Sequence, residues 1–514
     1  MPGTTAHPHR TSVLISGASI AGPALAHWLH RYGFAVTVVE RAPALRTGGY
    51  KVDVRGAAVE VADRMGILED IRRASTDMRT GAYVDDSGKR IATLPADLFG
   101  ARVGRDDEIM RGDLARILHD QTRDDVEYLF GDSIASLTPV GPVGPGGTGG
   151  TGGPGGPGGP GGPDATGEGV EVTFERAAPR RFDLVVGADG LHSTVRRLAF
   201  GPEEQFVRHL GAYVSAFSLP DELGLDREEL YHAVPGRLLC VYRTAGDPAA
   251  KGLLSFRSPR LTYDHRDTGA QLELLEAAFA GVGWQAPRLL RAAREADDLY
   301  FDGLHLIEMD RWSRGRVVLL GDAAHCASPA SGQGTGMALV GAYVLAGELA
   351  AAGGAPEPAF ARYEAEMRGY VAANHALARK FARDMTADSR WQIRFRHLML
   401  RLLPHLPWKN AVARKIAEEV QRGARAITLK DYPLPGPVPG AEAGSRPGAG
   451  SRPGAGPVPD TEAGSRPQSG PGTEAGSRPQ SGPGTEAGSP PGPGHHAAQP
   501  APCPPCPPCP PYAA

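Results

Sequence analysis

This chain of 514 residues has few cysteines and no large excess of positive or negative charge. Its 5 cysteines are too few and too scattered for a disulfide scaffold. Its formal net charge of −3 argues against a nucleic-acid-binding protein that neutralises phosphates. The first residues lack the apolar core of a secretion signal. The apolar run 338–352 is short and contains Glu348, which argues against a membrane span. We therefore expect a soluble, cytoplasmic protein.

Glycine and proline are abundant, with 69 and 47 residues, but they are concentrated in two tracts. Region 141–168 is almost entirely Gly, Pro and Thr, and we predict a disordered insertion in a hairpin there. Closing a longer surface loop costs only ~0.6 kcal/mol per doubling of its length. Region 433–514 contains TEAGSRPQSGPG twice and cannot bury a core, so we predict a disordered tail.

Three cysteines stand near the end of this tail, separated by Pro-Pro pairs: Cys503, Cys506 and Cys509. In polyproline II conformation successive cysteines would lie about 9 Å apart, because each turn has three residues. That spacing is too long for a disulfide or a shared metal ion. We predict no metal site in the chain.

A glycine-bearing turn follows the first apolar run, 12–15, and a helical pattern follows the turn. The turn contains Gly17, Ser19 and Gly22, and a second apolar run, 36–39, ends at Glu40. In a βαβ unit such glycines let the backbone approach a pyrophosphate, and the acidic residue accepts a hydrogen bond from the adenosine ribose. Ser19 stands where the middle glycine is usual, which weakens the fingerprint. The order of the elements nevertheless predicts a nucleotide site.

A second strand–turn–helix pattern occupies 317–349. Its apolar run ends at Gly321 and Asp322, and a turn-rich segment with Pro329, Gly332 and Gly334 precedes an Ala- and Leu-rich helix. The free N–H groups at a helix N-terminus suit an anion such as a pyrophosphate. Asp322 is placed to accept from a sugar hydroxyl. The alternative is an ordinary buried βα unit.

Two further features resemble parts of a nucleotide site. Asp189 and Gly190 follow the apolar run 182–186, which repeats the strand–Asp–Gly pattern. Arg111 opens another helix and is either a surface charge or a phosphate contact. Three loops that meet at one sheet edge exceed the needs of a mononucleotide and fit an extended ligand such as FAD.

The remaining segments suggest a domain map. We predict a FAD-binding domain formed by 10–205 and 306–352, and a substrate domain formed by 206–305 with about 81–100, where a hairpin is predicted. Strands over 126–140 and 169–174 are predicted to form a meander. The basic helical region 356–430 is predicted to pack across both domains with a solvated basic face, and the alternative is a helix on a membrane surface.

Two motifs match a known family. GADGLHSTVRR and GDAAHCASPASGQGTGMAL resemble the Asp-Gly and Gly-Asp motifs of the FAD-dependent aromatic hydroxylases, the group A flavoprotein monooxygenases. GGYKVDVRG and MRGDLARIL resemble the tetracycline-inactivating branch. The resemblance implies an α/β fold of the p-hydroxybenzoate hydroxylase type. That fold has a Rossmann-like FAD-binding domain, an inserted antiparallel-sheet substrate domain and C-terminal helices.

The resemblance also implies roles for individual residues. Asp53, Arg111 and Asp322 would contact FAD, Asp322 at the ribityl chain, and Asp189 would lie near the pyrophosphate and the NADPH path. Arg46 would contact NADPH. The complete set of predicted cofactor-binding residues is Gly17, Ser19, Gly22, Glu40, Arg41, Asp53, Arg111, Asp189, Asp322, Pro329, Gly332 and Gly334.

The implied reaction is flavin-borne. NADPH would reduce the flavin, and O2 would then give a C4a-hydroperoxide that hydroxylates an aromatic or polyketide-like small molecule, including the tetracycline type. Since the cofactor carries the chemistry, no catalytic side chain is expected, and His325 is predicted to be structural. The alternatives are a flavin oxidase or dehydrogenase of secondary metabolism and a non-catalytic flavin-binding regulator. We expect a monomer or a homodimer.

Overall fold

The computed structural model describes residues 10–141 except 47, 101 and 103, then 168–403, 407 and 409–435. The predicted Gly/Pro insertion and the predicted disordered tail lie almost wholly outside the described residues.

The strands are, in chain order, β1 (Ser12–Ser16), β2 (Ala35–Glu40), β3 (Lys51–Val54), β4 (Thr80–Val84), β5 (Arg90–Pro95), β6 (Asp107–Met110), β7 (Glu127–Phe130), β8 (Ile134–Val140), β9 (Gly169–Phe174), β10 (Arg180–Phe182), β11 (Leu184–Gly187), β12 (Val207–Pro220), β13 (Glu228–Val234), β14 (Arg237–Arg243), β15 (Ala249–Arg257), β16 (Tyr300–Ile307), β17 (Ser313–Arg314) and β18 (Val317–Leu319).

The α-helices are α1 (Ala21–Arg31), α2 (Ala57–Met65), α3 (Leu68–Arg73), α4 (Ala96–Gly100), α5 (Arg111–Asp120), α6 (Thr194–Ala199), α7 (Thr268–Phe279), α8 (Ala286–Glu295), α9 (Asp322–His325), α10 (Gly334–Ala351), α11 (Pro356–Asp384), α12 (Arg390–Leu402) and α13 (Lys409–Ala424). Short 3-10 helices cover Glu203–Gln205 and Pro329–Ser331.

The main sheet has the strand order β17-β18-β11-β1-β2-β7. All of its pairings are parallel except that of β17 with β18. Val13, Leu14 and Ile15 of β1 are fully buried, because helices cover both faces of a parallel sheet. The carboxyl ends of β1, β11 and β18 therefore meet at one edge, where the predicted motifs lie.

Helix α10 is the central helix of this core and packs against α1 and α11. Within the described part of the chain it is the one helix that is long and apolar enough to cross a membrane, but 83% of it is buried in the protein. It therefore has the burial of a core helix.

The second large sheet has the order β16-β12-β15-β14-β13-β4-β5. One face carries Tyr213, Phe217 and Leu254, which pack against Leu275 and Phe279 of α7. The opposite face carries Val214, Tyr300 and Leu304, which pack near Ala330 of the 329–331 turn and Met385 at the end of α11. The second face is thus turned toward the 329–331 turn and the end of α11.

The fold class is confirmed as an α/β domain with an inserted, mostly antiparallel sheet and C-terminal helices. The meander predicted over 126–140 and 169–174 is only partly correct, because β7 is an edge strand of the main sheet. Only β8 joins β9 and β10 in a separate sheet. The reason is the turn between β7 and β8, where Gly131 has φ +74° and the Asp132 carboxylate accepts from three backbone amides, those of Ser133, Arg176 and Ala177.

Candidate FAD site

The turn between β1 and α1 lies very close to the end of β11. Gly17 has a φ of +107°, and a Cβ there would lie 2.4 Å from the carbonyl oxygen of Ala188. A Cβ on Gly22 would lie 1.9 Å from the carbonyl oxygen of Gly17. Both positions require glycine, since a side chain would push the turn off the sheet. Helix α1 begins without a side-chain cap, so its first amides are available to an anion.

Glu40, at the end of β2, holds this turn in place. Its Oε2 accepts from the Ala18 amide at 2.9 Å, and its Oε1 accepts from the Ala42 amide at 2.9 Å. A carboxylate oxygen has two lone pairs, so Glu40 keeps acceptor capacity for the predicted ribose. Its position at the turn is thus compatible with that role, and the two amide contacts add a structural one.

The Gly-Asp motif forms the other end of the groove. Gly332 has φ +63° after the turn that begins at Pro329, and α10 starts at Gly334. The first backbone hydrogen bond of α10 runs from the amide of Met337 to the carbonyl of Gln333. The amides of residues 334–336 therefore point out of the helix end and give it a positive character.

Asp322 stands beside this helix end. A Cβ on Gly334 would lie 3.8 Å from Asp322 Oδ1, and the Asp322 side chain is exposed to the groove. Partial exclusion of water by the surrounding protein raises the pKa of the Asp322 carboxyl, and the positive charge of Arg111 counteracts the rise. The carboxylate is thus positioned to accept hydrogen bonds from a ligand that lies along the groove.

Arg111 connects the two motifs. Its Nη2 donates to Ser19 Oγ at 2.9 Å, and its charge acts on Asp322 and on the nearby Tyr50. Its backbone amide donates to the Tyr50 carbonyl at the start of α5. Since these contacts place the guanidinium inside the groove, Arg111 is not an isolated surface charge.

Asp53 on β3 lies next to the turn at Gly332. A Cβ on Gly332 would lie 3.6 Å from Asp53 Oδ2, which pairs with Arg55 at 2.6 Å. Asp53 Oδ1 is buried without a hydrogen-bond partner among the described residues. A buried acceptor of this kind is costly unless a ligand or water satisfies it, so Asp53 Oδ1 has capacity for a ligand donor.

Asp189 lies at the N-terminus of α6. Its carboxylate caps α6, because it accepts from the amides of Thr194 and Val195 at 2.8 and 3.1 Å. Burial raises the pKa of Asp189, and these hydrogen bonds oppose the rise. The side chain thus shapes the turn that follows β11, and a direct contact with FAD or NADPH stays a prediction.

The two remaining predicted arginines lie outside the centre of the groove. Arg41 Nη2 donates to Thr194 Oγ1 at 3.3 Å, which places it beside the helix that Asp189 caps. Arg46 is exposed in the loop between β2 and β3 and forms no ion pair with any described residue. Its assignment to NADPH stays a prediction.

One buried network was not visible in the sequence. Lys51 on β3 pairs with Glu229 of β13 at 2.5 Å and with Glu108 of β6 at 3.3 Å. Glu108 also pairs with Arg102 at 2.6 Å, and Arg102 lies 4.0 Å from Asp53. These charges connect the β3–β6 ribbon, which carries Asp53, to the second sheet. Only spatial proximity could reveal them, because Lys51 and Glu229 are 178 positions apart.

His325 is buried inside the core. Its Nε2 lies 3.3 Å from Tyr363 Oη, and its ring packs against Trp312. Burial lowers the pKa of His325 to about 3, so the ring is neutral. This position agrees with the predicted structural role.

We expect Asp322→Ala to purify without FAD, because the change removes the groove's exposed acceptor beside the α10 N-terminus. Bound flavin per chain, measured by absorbance after gel filtration, tests this expectation. Asp124→Ala is the control, since the side chain of Asp124 is 86% exposed and remote from these motifs in its contacts. Full flavin occupancy in Asp322→Ala would remove Asp322 from the site.

A pH dependence is expected from His192. It lies between two carboxylates, 3.0 Å from Glu203 and 3.0 Å from Asp302. Burial lowers the pKa of His192, but the hydrogen bonds to Asp302 and Glu203 outweigh burial and raise it to about 9. Protonated His192 therefore stabilises the fold, and this contribution is fully present below pH 6.5, the pKa of the unfolded state. It is lost as the pH rises toward the folded-state pKa of about 9.

The measurement is the melting temperature at closely spaced pH values between 6.5 and 9. The wild type should lose more stability across this window than His192→Gln, which retains a polar side chain without a titration. Parallel profiles for the two proteins would contradict the assignment.

Comparisons with known proteins agree with this geometry. A family model described as FAD binding domain matches residues 303–378, which include β18, α9 and α10. An uncharacterised protein of Mycobacterium tuberculosis is 45% identical over 368 residues, or 71% of this chain and 92% of that protein. A flavin-dependent monooxygenase of Legionella longbeachae is 37% identical over 362 residues, or 70% of this chain and 86% of that protein.

The chain belongs to the flavin-dependent monooxygenases. Solved structures of similar fold include the tetracycline destructase Tet(55), at 34% identity and a TM-score of 0.67, which covers 83% of this chain and 100% of that one. Tet(51) is 32% identical with a TM-score of 0.68, and covers 82% of this chain and 100% of that one. The protein is therefore an enzyme and an FAD-dependent monooxygenase, as its motifs predicted.

The groove fits FAD. The monooxygenase has two glycine positions without room for a Cβ, free helix N-terminal amides at both ends and an unsatisfied Asp53 Oδ1. The helix amides can donate hydrogen bonds to phosphates, and Asp53 Oδ1 can accept one from a sugar hydroxyl or a ring N–H group. This is the pattern that a dinucleotide requires. Which atoms of FAD each residue contacts stays a prediction.

Proposed function

We propose that this monooxygenase uses NADPH and O2 to insert one oxygen atom into an aromatic or polyketide-like small molecule. The observation that carries the proposal is the position of the second sheet, whose inner face is turned toward the Gly-Asp turn near Ala330. A substrate held on that face would lie next to the Gly-Asp turn, whose residues would hold the flavin end of FAD. Bound FAD would accept a hydride from NADPH and activate O2.

The chain's own residues would bind and orient the cofactor. The amides of residues 334–336 would stabilise negative charge on the reduced ring, because they lie at the positive end of α10. Arg111 lies in the groove with Ser19 and Asp322. Its guanidinium would contact FAD between the two motifs. No side chain is needed as a nucleophile.

The inner face of the second sheet favours a flat, largely apolar substrate. Tyr231 and Leu253 pack with Met110 of β6 around Tyr242 and Cys240. The Tyr50 and Tyr300 rings lie 5.6 Å apart near Arg111. Aromatic side chains bind planar rings by stacking, while their hydroxyl groups can bind polar substituents. The two tetracycline destructases among the structural neighbours support the polyketide class.

The experiment is substrate-dependent NADPH oxidation by the purified yellow protein, with O2 uptake followed in parallel. The panel would contain phenols, naphthols and polyketides, including tetracyclines, with NADH as the comparison donor. The expected result is a product whose mass has increased by one oxygen atom, with NADPH consumed in equal amount. Hydrogen peroxide as the sole product across the panel would indicate an oxidase and refute the proposal.

A further inference from the structure

Helix α12 has an unusual surface. Among the described residues, the exposed large apolar side chains are Leu434 and five residues of α12: Trp391 at 71%, Phe395 at 49%, Leu398 at 49%, Met399 at 39% and Leu402 at 42%. Their spacing of three and four positions places them on one side of the helix. The Trp391 and Phe395 rings are stacked, 5.5 Å apart. The helix therefore presents a continuous apolar stripe to its surroundings.

The opposite side of α12 is fixed to the protein. Ile393 packs against Ala233 and Leu238 of the second sheet. The segment before the helix is held by Arg257, whose side chain donates to Thr386 Oγ1 at 2.7 Å and to the Thr386 carbonyl at 2.9 Å. Since the inner side already has its partners, the apolar stripe faces outward in the folded chain.

The charge on α12 has one sign. The sequence RWQIRFRHLMLRL contains no acidic residue. Arg390, Arg394 and Arg401 are exposed, while Arg396 lies over the Tyr83 ring. The exposed arginines adjoin the apolar stripe, so the stripe and its margins favour a partner that is both apolar and anionic.

The composition of the two long Gly- and Pro-rich tracts limits the occupants of this surface. Residues 436–514 contain no Leu, Ile, Met, Phe or Trp, and neither does 142–167. These segments therefore offer no large apolar side chains that match the stripe. A second copy of the chain, docked stripe to stripe, would bring Arg390, Arg394 and Arg401 against like charges, which is unfavourable.

We propose that α12 binds the surface of a bilayer that contains anionic lipids. The apolar stripe inserts among the headgroups and upper acyl chains, and the three exposed arginines pair with lipid phosphates. A helix with aromatic and aliphatic residues on one side and arginines beside them has the composition of an interfacial helix. The rest of the chain stays outside the bilayer, so the attachment is peripheral.

The contacts of α12 show which part of the protein would lie next to the membrane. Its Ile393 belongs to the same apolar cluster as Tyr83 and Tyr231 of the second sheet, and Tyr231 also packs with Cys240 and Leu253. Helix α12 thus packs, through Ile393, directly on the face of the second sheet that also carries Tyr231 and Cys240.

The experiment is co-sedimentation of the full chain with FAD bound. One vesicle preparation contains equal parts phosphatidylglycerol and phosphatidylcholine, and the other contains phosphatidylcholine alone. The expected result is saturable binding to the anionic vesicles that weakens with salt, and little binding to the neutral ones. Arg394→Gln/Arg401→Gln should weaken binding about 30-fold, at about 1 kcal/mol per arginine. Trp391→Gln/Phe395→Gln should weaken it about tenfold or more.

The matched control is Arg414→Gln/Lys415→Gln, which removes two exposed cations from α13 and should bind as the wild type does. Flavin content and circular dichroism confirm that each variant is folded. Absence of binding to anionic vesicles, or equal losses in the control, would overturn the proposal. A concentration-dependent dimer that Trp391→Gln abolishes would assign the stripe to a second copy. Tight binding to polyglutamate without vesicle binding would assign it to an acidic protein.

Discussion

Gly22→Ala should yield a colourless protein with a lower melting temperature. The added methyl carbon would lie 1.9 Å from the carbonyl oxygen of Gly17, a distance that no real contact allows. Both atoms belong to backbone in the same tight turn, so relief requires the turn to open. The amides that face the groove would then move, and overpacking alone costs about 1–3 kcal/mol. Flavin content and thermal unfolding measure the two effects.

Gly369→Ala is the matched control for this change. Gly369 lies in α11, and a Cβ there would meet no atom within 4 Å. Alanine should stabilise that helix by up to about 1 kcal/mol, because it has the higher helix propensity. If Gly22→Ala retained wild-type flavin and stability, the close approach of Gly22 to Gly17 would be wrong.

Lys51→Met should destabilise the protein by about 3–5 kcal/mol, because it leaves the buried carboxylate of Glu229 without its cation, whereas Glu108 keeps Arg102. Burial lowers the pKa of Lys51, but Glu108 and Glu229 outweigh it and hold the pKa above its usual value. Both glutamates are almost fully buried, at 7% and 2% side-chain exposure. A fall in melting temperature of roughly 10 °C is expected for a domain of this size.

The second expectation concerns coupling. Lys51→Met/Glu229→Gln should be less destabilised than the sum of the single changes, since the neutral amide no longer needs the cation. Lys89→Met, in the exposed turn of the β4–β5 hairpin, should change stability by no more than about 0.5 kcal/mol. If the effects of Lys51→Met and Glu229→Gln on stability were additive, Lys51 and Glu229 would not interact.

Local motifs explain why part of the site was predictable. Gly17, Gly22 and Glu40 lie within one βαβ unit, and Asp322, Gly332 and Gly334 lie within one strand–turn–helix segment. In each case short-range backbone geometry determines where the residue lies. Arg111 was ambiguous in the sequence because its partners, Ser19 and Asp322, come from elsewhere in the chain.

Long-range contacts explain what was missed. The Lys51 network joins three strands from distant segments, and a lone lysine in a β-like run does not reveal such a network. The turn at Asp132 directs β7 and β8 into different sheets through amides more than 40 positions away, at Arg176 and Ala177. The basic helices were predicted, but only the packing of Ile393 shows which side of α12 faces outward.

The β8–β9 hairpin has a practical consequence. Val140 pairs with Gly169, so the two described ends of the Gly/Pro tract lie side by side. The intervening residues consist mostly of Gly, Pro and Thr, and the neighbouring strand pairing does not depend on their length. The connection between β8 and β9 is thus a suitable insertion site for a fused domain. A fluorescent reporter or an affinity module whose own termini are close could replace the tract without altering the candidate FAD site.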